Sequence, residues 1–117
     1  MTITHIVLFQ FEQDAPLEAV LNACKRMLSL KDRCLHSSTG KPYIQSASGE
    51  KDNSPEGAQG SITHAFIFEF ATDADRDFYV NRGHVHQEFV RSLDGLIERA
   101  LVVDFTPGVL NTYTPYI

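Results

Sequence analysis

The chain has 117 residues, enough for one domain with a real core, and its 43% hydrophobic and 21% charged content excludes a disordered protein. Ten basic residues stand against fifteen acidic ones, a formal charge of −5, and the bases are scattered, so no stripe is offered to nucleic acid or to an anionic membrane surface.

Residues 3–11, ITHIVLFQF, alternate with period two. His5, Val7, Phe9 and Phe11 share one face and Thr4, Ile6, Leu8 and Gln10 the other. Both faces carry apolar groups, which predicts a strand covered on both sides. Asp14 is the candidate N-cap of a first helix with Pro16 in its first turn. Leu17, Val20, Leu21, Cys24, Met27 and Leu28 then recur at three- and four-residue steps as one amphipathic stripe. Cys24 and Cys34 fit no zinc or CxxC spacing and read as free thiols.

From Ser37 to Gly60 the chain is rich in Ser, Gly, Pro, Asn and Asp, and only PYIQSAS suits a short strand. The rest reads as a long loop, whose acidic part at 50–56 could hold an incidental hard cation. Residues 62–70 repeat the opening alternation with His64, Phe66, Phe68 and Phe70 on one face. Thr72 caps a second helix that has acids in its first turn. Asn81-Arg82-Gly83 interrupts that helix, a helical pattern resumes through Phe89, Leu93, Leu96 and Ile97, and LVVDFTP is a last strand closed by Pro107.

The order β-α-β-β-α-β predicts an α+β, ferredoxin-like domain: a four-stranded antiparallel sheet with helices on one face. Residues 1–107 form it and 108–117 are a C-terminal tail. Helices cover one side only, yet the strands are apolar on both, so a homodimer packed through its sheet faces is expected. The opening MTITHIVLF lacks the basic region and cleavage site of a signal peptide, and no apolar run approaches the ~18 residues of a membrane span. A cytoplasmic location and no membrane partner are expected.

THIVLFQF, SPEGAQGSITHAFIFEFATDADRDFY, HQEFV and LVVDFTP occur in the order and spacing of a known family. With these blocks the chain resembles the stress-responsive A/B barrel proteins, dimeric α+β barrels, and among them the polyketide cyclases similar to olivetolic acid cyclase. The resemblance implies aldol-type ring closure of a poly-β-keto substrate without a cofactor. It places a catalytic histidine in the second helical region, a tyrosine shortly before it, and supporting histidines at the start of the first and third strands. His5 and His64 match the last two. His86 matches the first, because Phe89 follows at three residues and Asp104 at eighteen, whereas His84 has Gln87 and Val102 there. Tyr79 is the matching tyrosine, with Phe78 the residue that a one-step slip would substitute.

A neutral imidazole titrating near ~6.5 is a competent general base at physiological pH. In this reading His86 removes the proton from an activated carbon, Tyr79 stabilises the developing oxyanion, and His64 and His5 support them. Val7, Phe9, Phe66, Phe68 and Phe89 would line a chamber for a small hydrophobic polyketide-like ligand; the simpler account makes these phenylalanines plain core. The adjacent antiparallel strands would put His5 and His64 roughly 20 Å apart, so one or both could instead anchor a strand end. Metal is not expected, since His84 and His86 point about 200° apart on a helix and no ligand spacing joins His64, His86 and Asp104. Two other functions fit the same residues: a non-catalytic stress or defence dimer that binds small molecules, and a cofactor-free decarboxylase or oxygenase acting on an aromatic polyketide.

Overall fold

The computed structural model describes residues 1–110; residues 111–117, most of the tail expected at 108–117, lie outside the described residues. Four strands form one antiparallel sheet: β1 (Ile3–Phe11), β2 (Ile44–Lys51), β3 (His64–Phe70) and β4 (Ile97–Phe105), in the order β2-β3-β1-β4. Three helices, α1 (Leu17–Arg33), α2 (Asp73–Arg82) and α3 (His84–Ser92), complete the ferredoxin-like α+β fold. The register Phe9↔His64, His5↔Phe68 and His5↔Asp104 aligns the three strands that matter for the site.

Period two sets the two sides of the sheet. His5, Val7, Phe9, Phe11, Phe66, Phe68 and Phe70 are buried under the helices. The strand parity puts Ile6, Leu8, Ile67, Leu101, Val103 and Phe105 together on the opposite face, where Ile67, Leu101, Val103 and Phe105 are exposed. β4 is an edge strand and is exposed along nearly its whole length.

Four local expectations shift. The α1 N-cap is Pro16, not Asp14: residues 12–15 are taken up by a turn in which Ala15 N–H donates to the Glu12 carbonyl, and Pro16 stays extended with ψ 139°. The buried stripe of α1 runs through Ala23, Met27 and Leu30, while Leu17 and Leu21 are exposed. Val20, Cys24 and Leu28 of the expected stripe pack partly buried against the same core, so the buried line lies slightly to one side of the stripe that hydrophobicity alone picks out.

The second strand is longer than PYIQSAS suggests. β2 reaches Lys51, and the Asp52 N–H to Thr63 carbonyl bond (2.8 Å) extends the β2–β3 ladder, so the loop shrinks to the residues between. Conversely α3 stops at Ser92. Gly95, at φ +84°, lies in the turn that follows, and β4 begins at Ile97 instead of Leu101.

The break between α2 and α3 is steric. A Cβ at Gly83 would lie 2.7 Å from the Tyr79 carbonyl oxygen and 3.3 Å from the Tyr43 hydroxyl. Only a residue without a side chain lets α3 fold back this tightly, and that turn delivers His86 over Tyr79.

Candidate active site

Between α2–α3 and the sheet lies a cavity of about 910 Å³. β1 contributes His5, Val7 and Phe9 to its wall, the helices contribute Met27, Tyr79, His86 and Phe89, and β4 contributes Ile97, Ala100 and Val102. Its mouth is marked by Val80, Val90 and Val102, apolar yet 43%, 50% and 58% exposed. His5, Tyr79 and His86 form a polar cluster on the cavity wall and Phe9, Met27, Phe89 and Ile97 much of its apolar part, with Arg91 and Asp94 also on the lining. Four strand residues separate His5 from Phe9, roughly 13 Å at ~3.3 Å per residue.

His86 is held in two ways. Its ring stacks on Tyr79 with centroids 3.9 Å apart and planes at 22°. Its Nδ1 lies 3.1 Å from the Tyr79 carbonyl oxygen. A carbonyl can only accept, so Nδ1 carries the proton and Nε2 keeps the lone pair. Burial holds the His86 pKa below its ordinary value, a shift opposed by the carbonyl bond and assisted by His5. The imidazole is therefore neutral at physiological pH with a basic Nε2.

His5, only 4% exposed, sits edge-on to the same Tyr79 ring, centroids 5.8 Å apart at 81°. Its Nδ1 is 2.6 Å from Asp104 Oδ1, and the other carboxylate oxygen accepts from Arg76 Nη1 at 2.8 Å. Asp104 and Arg76 thus add two polar groups to the surroundings of the site. The register offset from His86 pointed to Asp104, but nothing in the pattern of α2 singled out Arg76.

Tyr79 faces His86, and Phe78 instead stacks on His36 outside the cavity. The Tyr79 hydroxyl, however, is buried and has no hydrogen-bond partner among the described residues. Burial raises its pKa strongly, with Cys34 and Tyr43 adding to the shift, so it stays protonated. Cys34, in the same buried cluster, is pushed up to about 11 by burial and is an inert thiol; Cys24 is free as well.

His64 stands elsewhere. It pairs with Phe9 across the β1–β3 ladder, four residues from His5, so roughly 13 Å replaces the ~20 Å expected between the two. Thr63 Oγ1 gives its proton to the Phe9 carbonyl, so His64 Nδ1–H donates to Thr63 Oγ1 at 3.0 Å, and the ring stands edge-on to Phe11. It does not line the cavity. Phe66 and Phe68, fully buried, do not line it either, whereas Val7, Phe9 and Phe89 do. His84 is exposed. Among the described residues no group of three or more His, Cys, Asp or Glu is placed to hold a metal ion, and no helix is long and apolar enough to cross a membrane.

A ferredoxin-like sheet with a two-histidine cavity under its helices defines a class of small α+β proteins. Within that class, the family model for the stress responsive A/B barrel domain matches residues 3–107, and the chain belongs to that family. Among solved structures it is similar to a protein of Arabidopsis thaliana, at 21% identity over 93% of this chain and 98% of that one, TM-score 0.76. It is also similar to the hydroxynitrile lyase of Passiflora edulis, at 18% identity over 97% of each chain, TM-score 0.74. A dimeric ferredoxin-like protein of unknown function from Jannaschia sp. is 17% identical over 91% of this chain and 99% of that one, TM-score 0.72. No curated protein matches the chain by sequence.

Proposed function

We propose that the cavity is the active site of an enzyme that makes or breaks a carbon–carbon bond beside a carbonyl group in a small, largely apolar molecule. Aldol-type cyclisation of a poly-β-keto compound is the first reading. The observation that carries it is the Nδ1–H bond from His86 to the Tyr79 carbonyl, which leaves a neutral imidazole with a free Nε2 beside an apolar chamber.

Nε2 takes a proton from the carbon between two carbonyls, and the resulting enolate carbon attacks a distal carbonyl carbon. The π pair of that carbonyl moves to its oxygen, which is then protonated by the imidazolium, restoring the base. The flanking carbonyls serve as the electron sink, so the step needs no redox partner. Phe9, Val7, Met27 and Phe89 would fold the apolar part of the chain against the polar cluster. In this reading Tyr79 contributes its ring, which stacks on His86, while its hydroxyl is buried with no hydrogen-bond partner among the described residues.

The likeness to the Passiflora hydroxynitrile lyase over nearly all of both chains favours a second reading with the same base. His86 would remove the hydroxyl proton of a cyanohydrin, the C–CN bond would break, and a carbonyl compound and cyanide would leave. We also read the bare sheet face as the contact of a homodimer. Its exposed residues Ile67, Leu101, Val103 and Phe105 form one apolar patch with Ile6 and Leu8, and the Jannaschia protein is dimeric.

The test compares products from a linear tri- or tetraketide generated in situ, and cyanide release from an aromatic cyanohydrin, with no protein, native protein and folded His86→Ala. A product or release seen only with native protein supports the proposal and identifies the base. Identical profiles in all three for both substrates favour a non-catalytic dimer that binds small molecules.

A further inference from the structure

Asp104 stands between a histidine and an arginine from different elements. Its Oδ1 accepts from His5 Nδ1–H on β1 at 2.6 Å, and its Oδ2 accepts from Arg76 Nη1 on α2 at 2.8 Å. Arg76 is itself fixed by a second bond, from Nε to Asp77 Oδ1 at 2.7 Å. We propose that Arg76 is a positioning residue that acts through Asp104 to hold His5 as its Nδ1–H tautomer, making His5 a second proton carrier beside His86. The proposal rests on the reading of the cavity as a proton-transfer site.

A carboxylate at the end of an exposed edge strand is free to turn to water. Asp104 is 21% exposed in its side chain, and His5 5%. By claiming Oδ2, Arg76 leaves Oδ1 in line with His5. The two hydrogen bonds follow the logic by which an aspartate orients a catalytic imidazole: Nδ1 is committed, so Nε2 is the atom that exchanges protons.

The charged and titratable groups around His5 are few. Asp104 comes from β4, Arg76, Asp77 and Tyr79 from α2, and His86 from α3, while β3 presents only Phe68 and Phe70. Of these Asp104 alone bonds His5. His86 has only a neutral carbonyl as its partner. The two imidazoles flank one tyrosine ring, His86 on its face and His5 at its edge. They divide the work by the form of the substrate: from the keto form His86 takes the carbon proton and returns it to the new alkoxide, and from the enol form His5 Nε2 takes the O–H proton, leaving the enolate that attacks, and returns it to the same alkoxide.

The experiment uses full-length protein labelled with 15N in its histidines, with long-range 15N–1H correlation at pH 8 on wild type, Arg76→Gln and Arg76→Lys. Wild type is expected to show His5 with protonated Nδ1 and bare Nε2. Arg76→Gln should bring in the Nε2–H form, and Arg76→Lys, which keeps the charge, should stay closer to wild type. With whichever substrate is turned over, Arg76→Gln should lower kcat roughly tenfold, less than the ~10²–10⁴-fold of losing a general acid–base group outright because His5 itself remains, with KM little changed. A His5 that is Nε2–H in the wild type, or identical in wild type and folded Arg76→Gln, overturns the proposal. The wild-type spectrum decides the first point even if Arg76→Gln fails to fold. Absence of any turnover would sink the catalytic reading while the tautomer spectra still decided the positioning role.

Discussion

His86 lies over Tyr79 and donates its Nδ1–H back to the Tyr79 carbonyl, so one residue supplies both the platform and the anchor for the candidate base. Neither contact uses the phenol oxygen. That oxygen is buried with no hydrogen-bond partner among the described residues, a condition that costs about 1–3 kcal/mol. Tyr79→Phe should therefore leave stability unchanged or raise it by up to ~1 kcal/mol, and leave turnover within about threefold. Tyr79→Ala removes the platform and should cost about 3–5 kcal/mol. Urea unfolding of both variants checks the pair; a loss above ~1 kcal/mol in Tyr79→Phe would mean that the hydroxyl has a partner after all.

Phe66 and Phe89 separate core from chamber. Phe66 is fully buried, sits 5.7 Å from the Phe9 ring and is away from the cavity, so Phe66→Ala should cost about 3–5 kcal/mol while any product distribution stays that of the wild type. Phe89 borders the cavity, and Phe89→Leu should change substrate or product preference with a smaller loss of stability. Denaturant midpoints measured beside product ratios tell the two apart. A changed product ratio in Phe66→Ala would place its ring on the chamber wall.

The residues that gave the fold away in the sequence were those under period two. His5 through Phe11 and His64 through Phe70 carry the signal of a sheet side in their own alternation, and burial follows it residue by residue. Helix rotation was harder to read. Leu17 and Leu21 look like core by hydrophobicity, but the buried line runs through Ala23, Met27 and Leu30 and leaves them outward. At the site, His86 and Tyr79 were legible as a pair only through the family resemblance, in which Phe89 and Asp104 fix the register of His86. The burial of the Tyr79 hydroxyl beside Cys34 and Tyr43, residues distant in sequence, was not legible there. Arg76 was silent for the same reason. An arginine on a polar helix resembles any solvated charge until the β1–β4 register brings Asp104 to His5.

Two histidines make stability depend on pH with the same sign. Burial lowers the pKa of His86, helped by His5, and of His64, helped by Lys51. The folded state therefore prefers both neutral, while the unfolded chain titrates near ~6.5. Their contribution is complete above that value and is lost as pH falls through the lower folded values, with a limiting slope of about 1.4 kcal/mol per pH unit for each histidine. Urea midpoints should fall from pH 7 to pH 5, and His64→Gln and His86→Gln should each flatten the fall. A wild-type midpoint that holds constant or rises would contradict the sign.

The bare sheet face should behave as an interface. Val103 and Leu101 are 54% and 41% exposed, on the face that Ile67 shares. Val103→Glu places a charge where an apolar contact is proposed, with a desolvation cost of several kcal/mol. Sedimentation should show the wild type as a dimer and Val103→Glu as a folded monomer at micromolar concentration. A wild type that sediments as a monomer removes the dimer from the account.

Gly83→Ala would ordinarily stabilise by about 0.4–1 kcal/mol, because φ −73° suits alanine and the unfolded chain loses freedom. Here the steric term opposes that gain. The new Cβ would meet the Tyr79 carbonyl oxygen at 2.7 Å, and backbone cannot swing aside as a flexible side chain can. Overpacking of this kind costs about 1–3 kcal/mol, so the net sign should be destabilising. The carbonyl that must move is also the one that accepts from His86 Nδ1. The variant should therefore loosen the tautomer of His86, seen as an Nε2–H signal absent from the wild type, as well as lower the urea midpoint. Stabilisation with an unchanged His86 spectrum would mean that α2 and α3 can part without disturbing the base, and that the tight turn is not what holds it.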